Sequence, residues 1–210
     1  MKIVKEGYPF IGGALALAVI SYFLCNVSFI FCILLWLGIA LALFCAYFFR
    51  DPKITITQGE NLVLSPCNGK VLEVKKDDKE IMIRVFLSVF DVHLQRSPID
   101  GKVISVEHKP GKFLNAAAPD AHIVNEQNII TIENETGTYI VKQIAGLLAR
   151  RCVAWVKAGD VLKAGDKIGV IKFSSQVDLH MKPNAEIKIK EGDRVVSGVT
   201  ILAELIGDKK

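Results

Sequence analysis

Between Pro9 and Phe49 the chain carries no charged residue. No ordinary soluble core asks for so long a stretch, and it limits the N-terminal part to a membrane-seeking helical structure. Asn26 and Ser28 mark a break that separates PFIGGALALAVISYFLC from VSFIFCILLWLGIALALFCAYFF. At about 1.5 Å per residue the second stretch crosses roughly 30 Å of hydrocarbon, and the first falls just short. A helical hairpin that crosses or dips into the bilayer is expected over residues 1–53. Lys2 and Lys5 precede it, and Arg50 and Lys53 follow it. Positive charge at both ends favours a cytoplasmic position for both. Tyr8, Tyr47, Phe48 and Phe49 suit the membrane interface. The run is too long for a signal peptide, and no small-residue cleavage site accompanies it. The expected location is the cell (inner) membrane, with residues 54–210 on the cytoplasmic side.

Hydrophobic residues make up 51% of the 210, and the anchor accounts for the excess. Residues 54–210 are enough for one domain with a real core. The net charge of +4 is scattered, which suits an anionic lipid surface and argues against a nucleic-acid partner. The five cysteines show no metal-ligand spacing and no disulfide framework, so no metal is expected and the soluble part suits a reducing compartment.

From Ile54 onward short Val- and Ile-rich segments alternate with turns: NLVLSPCNGKVLEV, IMIRVFLSV, GKVISVEH, NIITIENETGTYIVKQIAG, DKIGVIKF and AEIKIKEG. Asn-Gly and Asp-Gly follow proline at 66–69 and 98–101, which is strong turn chemistry. Helical signal is confined to a turn or two near Phe113–Ala118. Two segments recur. SPCNGKVLEV (65–74) matches SPIDGKVISV (97–106), and KAGDVLKAGDKI (157–168) matches KEGDRVVSGVTI (190–201). Paired repeats of turn and strand imply a mainly β fold: a pseudo-symmetric β-sandwich or flattened barrel built from repeated hairpins.

In GVIKFSSQVDLHMKP (169–183) one strand ends near Phe173 and another begins near Val177, with two serines between them. Such a pair is usually a polar turn. It can also support an N→O acyl shift, in which a serine hydroxyl attacks the preceding carbonyl. Elimination then leaves dehydroalanine, which hydrolyses to a pyruvoyl group. That route needs a strained, well-placed peptide bond and a nearby base.

The chain resembles the short, membrane-anchored, pyruvoyl-dependent branch of the phosphatidylserine decarboxylase family. The resemblance runs over essentially the whole chain. It is carried by the EGYPF start, YFFRDP (47–52), SPCNGKV (65–71), FLSVFDVHLQRSPIDGKV (86–103), KPGKFLNA (109–116), NEQN (125–128), QIAGLLARR (143–151) and IGVIKFSSQVDL (168–179). It implies a proenzyme that cuts itself between Ser174 and Ser175 into a β chain 1–174 and an α chain 175–210, which stay associated. Ser175 becomes the pyruvoyl cofactor, which forms a Schiff base with phosphatidylserine and yields phosphatidylethanolamine. His93 takes the position of the family's histidine and the role of general acid. Without the resemblance, a hydrogen-bonded strand histidine is the plainer reading. The substrate is the anionic lipid itself, and homo-oligomerisation is left open.

Two positions depart from the family's pattern. Ser174 stands where the family has glycine. Asn68 stands where the family has an aspartate implicated in processing, and an amide can orient a group but cannot take its proton. Asp100, Asp178 and His180 are the other candidates for a base. Arg150 and Arg151, with Arg96, are the candidates for holding the lipid phosphate or carboxylate, ahead of Arg84 and Lys112. Each has a plainer reading as a solvated or ion-paired charge. Two other functions fit some of the residues. One is a biotinyl- or lipoyl-like carrier module, suggested by the KAGD turns and Met181-Lys182. The other is a membrane-bound scaffold without catalysis, suggested by Asn68.

Overall fold

The computed structural model describes residues 2–114, 120–146, 151–172 and 175–206. The chain divides into two compact units, Met1–Lys53 and Ile54–Lys210.

In the first unit β1 (Lys2–Ile3) pairs antiparallel with β2 (Arg50–Asp51) and closes the base of a hairpin of two helices, α1 (Tyr8–Leu24) and α2 (Phe29–Phe48). Pro9 sits in the first turn of α1, where no helical donor is lost. Ser28 caps α2 by accepting from the Ile30 amide at 3.4 Å. The buried residues are mostly small, Ala14, Ala18 and Ser21 on α1 with Gly38, Ala42 and Cys45 on α2, joined by Phe48 at the end of α2. A Cβ on Gly38 would lie 2.9 Å from the Ala14 carbonyl oxygen, so the backbones touch there. Val19, Phe23, Ile33, Trp36 and Leu43 are exposed on the same helices. Lys5–Leu24 and Phe29–Phe48 are each long and apolar enough to cross a membrane.

The second unit is mainly β. In chain order its elements are β3 (Leu62–Leu64), β4 (Gly69–Lys76), β5 (Ile81–Leu87), β6 (Leu94–Arg96), β7 (Gly101–Lys109), α3 (Ala121–Val124), β8 (Gln127–Asn134), β9 (Gly137–Ala145), β10 (Cys152–Ala154), β11 (Val161–Leu162), β12 (Lys167–Ile171), β13 (Ser175–Met181), β14 (Ala185–Ile187), β15 (Arg194–Val195) and β16 (Ile201–Leu205). Eight strands form one curled sheet in the order β11-β7-β8-β9-β13-β5-β4-β15. Two three-stranded sheets, β10-β12-β6 and β14-β16-β3, complete the domain.

These orders are palindromic. Reading outward from the antiparallel β9–β13 pair, β8 answers β5, β7 answers β4 and β11 answers β15. The small sheets answer each other in the same way. The pseudo-symmetry expected from the repeats is therefore a twofold relation through the centre of the large sheet.

The core lies on one face of that sheet. Ile81, Ile83, Val85 and Leu87 alternate inward on β5, and Val177, Leu179 and Met181 do so on β13, as period 2 requires. Each such side chain stabilises the fold by about 1.5–3 kcal/mol. Leu202, Ala203 and Ala185 from one small sheet, and Ile168, Ile171 and Cys152 from the other, join the same cluster. The helical signal expected near Phe113–Ala118 falls mostly outside the described residues. Phe113 and Leu114 are in a loop, residues 115–119 lie outside the described ones, and the helical turn comes at Ala121–Val124. There the Asp120 carbonyl accepts the amides of Ile123 and Val124.

Candidate active site

Ser175 opens β13, and its strand partners are Leu87 on β5 and Ala145 on β9. Period 2 turns its side chain to the same face as Val177 and Leu179, into the core. The residue is fully buried, and its Oγ has no hydrogen-bond partner among the described residues. Leaving a hydroxyl so placed costs about 1–3 kcal/mol, and a group kept at that cost calls for a functional account.

Two connections converge on it. One leaves β5 after Leu87 and reaches His93, just before β6. The other leaves β12 after Ile171 and reaches Ser175. The Ile171 amide donates to the His93 carbonyl at 3.1 Å, so the two are tied at one end by that bond and at the other by the Leu87–Ser175 pairing. His93 thus belongs to a small closed circuit of chain that contains the Ser174–Ser175 bond, although Ser174 itself lies outside the described residues.

His93 is buried, with Nδ1 3.0 Å from the Asp91 carbonyl. A carbonyl only accepts, so Nδ1 carries the proton, and in that tautomer Nε2 is the nitrogen able to accept one. The loop beneath it is tied down at Asp91. Asp91 Oδ2 accepts from the amide and hydroxyl of Ser88 at 2.9 and 2.7 Å, and its Oδ1 accepts from Arg194 at 3.0 Å. On the other side, Asn125 is buried and ties the loop at Leu114 to the end of β9. Its Nδ2 donates to the carbonyls of Leu114 (2.9 Å) and Ala145 (2.7 Å), and its Oδ1 accepts from the Leu114 amide. Asp91 and Asn125 lie inside the motifs FDVH and NEQN, which singles them out only once the fold shows what they hold.

Asn68 precedes Gly69 at the same end of the sheet, since Lys70 pairs with Phe86 and Phe86 with Gln176. Its Oδ1 accepts from the Ser197 amide at 3.2 Å. Gly69 has φ +155, and a Cβ there would lie 2.2 Å from the Phe86 carbonyl oxygen, so glycine is required. Arg151 is exposed, and its carbonyl accepts from the Lys172 amide at 3.3 Å, next to the same junction. Arg150 is outside the described residues. Arg96 is buried and gives Nη1 to the Gly165 carbonyl at 2.8 Å, which makes it a clamp on that turn. Lys112 bridges to Asn125 through the backbone.

The other candidate bases are elsewhere. Asp178 is on the face of β13 opposite Ser175, held by Arg84 and by Gln176 Nε2 at 2.7 Å. Arg84 reaches Glu73 as well, at 2.6 Å. His180 is at the far end of β13, roughly 17 Å along it, and pairs with Glu80. Asp100 lies beside Asn134, at the opposite end of β9 and roughly 27 Å from Ala145 along the strand. Two buried thiols lie in the same domain. Burial pushes Cys67 well above its ordinary range, with Asp91 and Asp178 adding to the shift. Burial does the same to Cys152. Both stay protonated and do not compete with serine as nucleophiles.

A family model for phosphatidylserine decarboxylase matches residues 41–203, from the second apolar helix to the last strand. The chain belongs to the phosphatidylserine decarboxylase family. Membership makes the carboxy-lyase class the natural frame for this cluster, and it leaves the carrier module without support. The family match spans both copies of the repeat and the Ser174–Ser175 junction, so the buried hydroxyl of Ser175 falls inside the matched region.

Proposed function

We propose that this chain is a self-processing phosphatidylserine decarboxylase whose cofactor is made from Ser175. The observation that carries the proposal is the Ser175 hydroxyl, fully buried and without a hydrogen-bond partner among the described residues, at the first position of a strand. A hydroxyl that bonds to nothing else is free to attack the carbonyl before it, and the paired strands on both sides hold it in place.

In the proposed processing, Ser175 Oγ adds to the Ser174 carbonyl carbon as the C–N bond breaks, giving an ester and a free Ser175 amine. Loss of the Cα proton and of the Ser174 carboxylate leaves dehydroalanine. Water then converts it to pyruvoyl and releases ammonia. The products are a chain of residues 1–174 and a chain of residues 175–210, held together by the β13 pairings with β5 and β9. The buried oxygen, without a hydrogen-bond partner among the described residues, fits this use.

Once formed, the pyruvoyl carbonyl supplies the electrophile and electron sink that an amino-acid headgroup needs to lose carbon dioxide. The chain's own residues do the rest. His93 Nε2, fixed by the Nδ1 bond to Asp91, delivers a proton to the carbon that has lost its carboxylate. Arg150 and Arg151 meet the anionic headgroup. Asn68 orients groups during cutting without taking a proton. Residues 1–53 anchor the domain on the cytoplasmic side of the cell membrane, so a lipid substrate need not leave the bilayer.

The test is the intact mass of the purified chain with Edman degradation of the small fragment. The reading expects two fragments and a blocked residue 175. A single uncut chain would favour the scaffold, and a free N-terminal serine on the fragment would refute the cofactor.

A further inference from the structure

A buried row of amides runs from the surface to the His93 carbonyl. His108, Asn128 and Gln143 are direct cross-strand neighbours on β7, β8 and β9. From the surface inward, His108 Nδ1 meets Asn128 Oδ1 at 2.9 Å, Asn128 Nδ2 meets Gln143 Oε1 at 3.1 Å, Gln143 Nε2 meets Gln95 Oε1 at 2.8 Å, and Gln95 Nε2 meets the His93 carbonyl at 2.7 Å. Gln95 and Gln143 are fully buried and Asn128 nearly so, while His108 is exposed.

The direction of every bond is forced from the inner end. The His93 carbonyl can only accept, so Gln95 must present its NH₂ and turn its oxygen to Gln143. Gln143 must then donate to Gln95 and accept from Asn128. Asn128 in turn has only its oxygen left for His108, so His108 must carry its proton on Nδ1. No amide can flip alone without leaving two acceptors face to face in the interior, which costs about 1–3 kcal/mol. The bonds therefore polarise one another in one sense, toward His93.

The step from Gln143 to Gln95 crosses from the eight-stranded sheet to the small sheet β10-β12-β6. Room for it exists because residue 169, which pairs with Gln95, is glycine. A Cβ there would lie 2.6 Å from Gln143 Nε2 and 2.3 Å from the Val153 carbonyl oxygen. The carbonyl that ends the row also accepts the Ile171 amide, the bond that ties the two connections around Ser175.

We propose that Gln95, Gln143 and Asn128 are positioning residues for His93: a one-way amide relay that fixes the backbone of His93 against Ile171 at the entrance to the Ser174–Ser175 junction. The link to catalysis rests on the reading given under Proposed function. The relay itself can be tested without activity.

The decisive substitution is Gln143→Glu. Its carboxylate keeps the shape but lacks the donor, so Gln95 must turn its NH₂ toward residue 143 and its oxygen toward the His93 carbonyl. Full-length uncut Ser175→Ala chain in detergent, labelled with ¹³C at the histidine carbonyls, gives four signals, one for each histidine. Gln143→Glu should move the His93 signal in the same direction as Gln95→Met, and ¹⁵N shifts should show the Nδ1–H form of neutral His108. In chain that retains Ser175, the first-order cutting constant of the folded protein should fall about ten- to a hundredfold for both variants, since small misplacements near chemistry have effects of that size. Acidification should restore the His93 signal of Gln143→Glu alone, because a protonated carboxyl donates and accepts as the amide did. A merely structural role would give no such rescue. A His93 signal that Gln95→Met moves and Gln143→Glu does not would overturn the relay. A moved signal with an unchanged cutting constant would overturn the positioning role. If the parent chain never cuts, the self-processing reading fails, and the carbonyl signals still decide whether the relay exists.

Discussion

The turn Ser65–Gly69 and the turn Ser97–Gly101 are held by matching bonds, yet only the first lies at the end of the sheet where Ser175 starts its strand. Ser65 Oγ donates to the Cys67 carbonyl and Ser97 Oγ to the Ile99 carbonyl, both at 2.7 Å. The Arg96 amide donates to Pro66 and the Leu64 amide to Pro98, both at 2.8 Å. Gly198 donates to Ser65 as Gly165 does to Ser97. Even the side chains correspond, for Asn68 Oδ1 accepts the Ser197 amide and Asp100 Oδ1 the Ala164 amide.

What differs is how each half connects onward. β8 passes to β9 through a tight turn, in which Asn134 Oδ1 accepts from the amide and hydroxyl of Thr136. Its symmetry mate β5 cannot do this, because its neighbour β13 comes much later in the chain. β5 instead crosses to β6 through Ser88–His93, and β12 crosses to β13 through the Ser174–Ser175 junction. Both joins are crossovers between the halves, they lie side by side, and they carry His93 and Ser175. A duplicated scaffold thus places its candidate chemistry where the duplication has to be broken.

The sharpest way to break the comparison is to remove the group that one half has and the other lacks. Ser175→Ala should abolish both cutting and decarboxylation, because no hydroxyl remains to form the ester, while Ser174→Gly should be tolerated and cut at least as fast. Denaturing gels and release of labelled carbon dioxide read the two reactions. Cutting by Ser175→Ala but not by Ser174→Ala would shift the reactive serine by one residue. The next effect is at the other crossover. His93→Ala should still cut, at least in part, with decarboxylation per cut chain lower by about 10²–10⁴-fold, the usual loss for one general acid. Thr136→Ala, in the matching hairpin of the other half, should leave decarboxylation per cut chain unchanged. Undiminished turnover in His93→Ala would remove it from the mechanism.

The repeats made the symmetry legible, because turn chemistry such as Pro-Asn-Gly and Pro-Asp-Gly is local and each copy launches a strand in the same way. The apolar hairpin was legible for the same reason, since length and the absence of charge are properties of a continuous segment. The amide row was not. His108, Asn128, Gln143 and Gln95 lie in four separate segments, and only cross-strand register brings them together. Nor does the sequence show that Arg96 meets the Gly165 carbonyl, a contact set by the packing of two distant turns. Asp100, Asp178 and His180 look equivalent as bases in one dimension; strand direction and the alternation of faces separate them from Ser175.

Asn68 and Asp100 sharpen the comparison directly, because they occupy one position in the two halves. Asn68→Ala should slow cutting while chains already cut keep most of their activity. Asn68→Asp should cut at least as fast as the parent, since a carboxylate can accept the Ser197 amide as the amide oxygen does. Asp100→Asn should leave both reactions unchanged. A time course of cutting after synthesis compares all three, and an Asn68→Asp chain that cuts much more slowly would show that this protein relies on the amide.

The smallest effect expected is on stability at Asp100. Its carboxyl lies below the usual range, because Lys163 donates to it at 2.7 Å and the Ala164 amide adds a second bond. A carboxyl whose value is depressed by folding contributes stability above its unfolded value of about 4, and that contribution is lost as pH falls through the lower folded value. The pair is exposed, so solvent screening keeps the contribution small. Asp100→Asn should therefore lower Tm by about 1–2 °C near neutral pH. The gap should narrow on acidification until parent and variant melt together. High salt should narrow it as well, since a surface pair is screened. Asn68→Asp puts the same carboxylate in the other half, but the residue matching Lys163 there is Val196, so it gains the backbone donor and no cation. Its Tm should depend less on salt than the parent's Asp100 does. A salt-sensitive gain at position 68 would mean that a cation outside the matched turn reaches it, and that the two halves differ around this residue as well as in their connections.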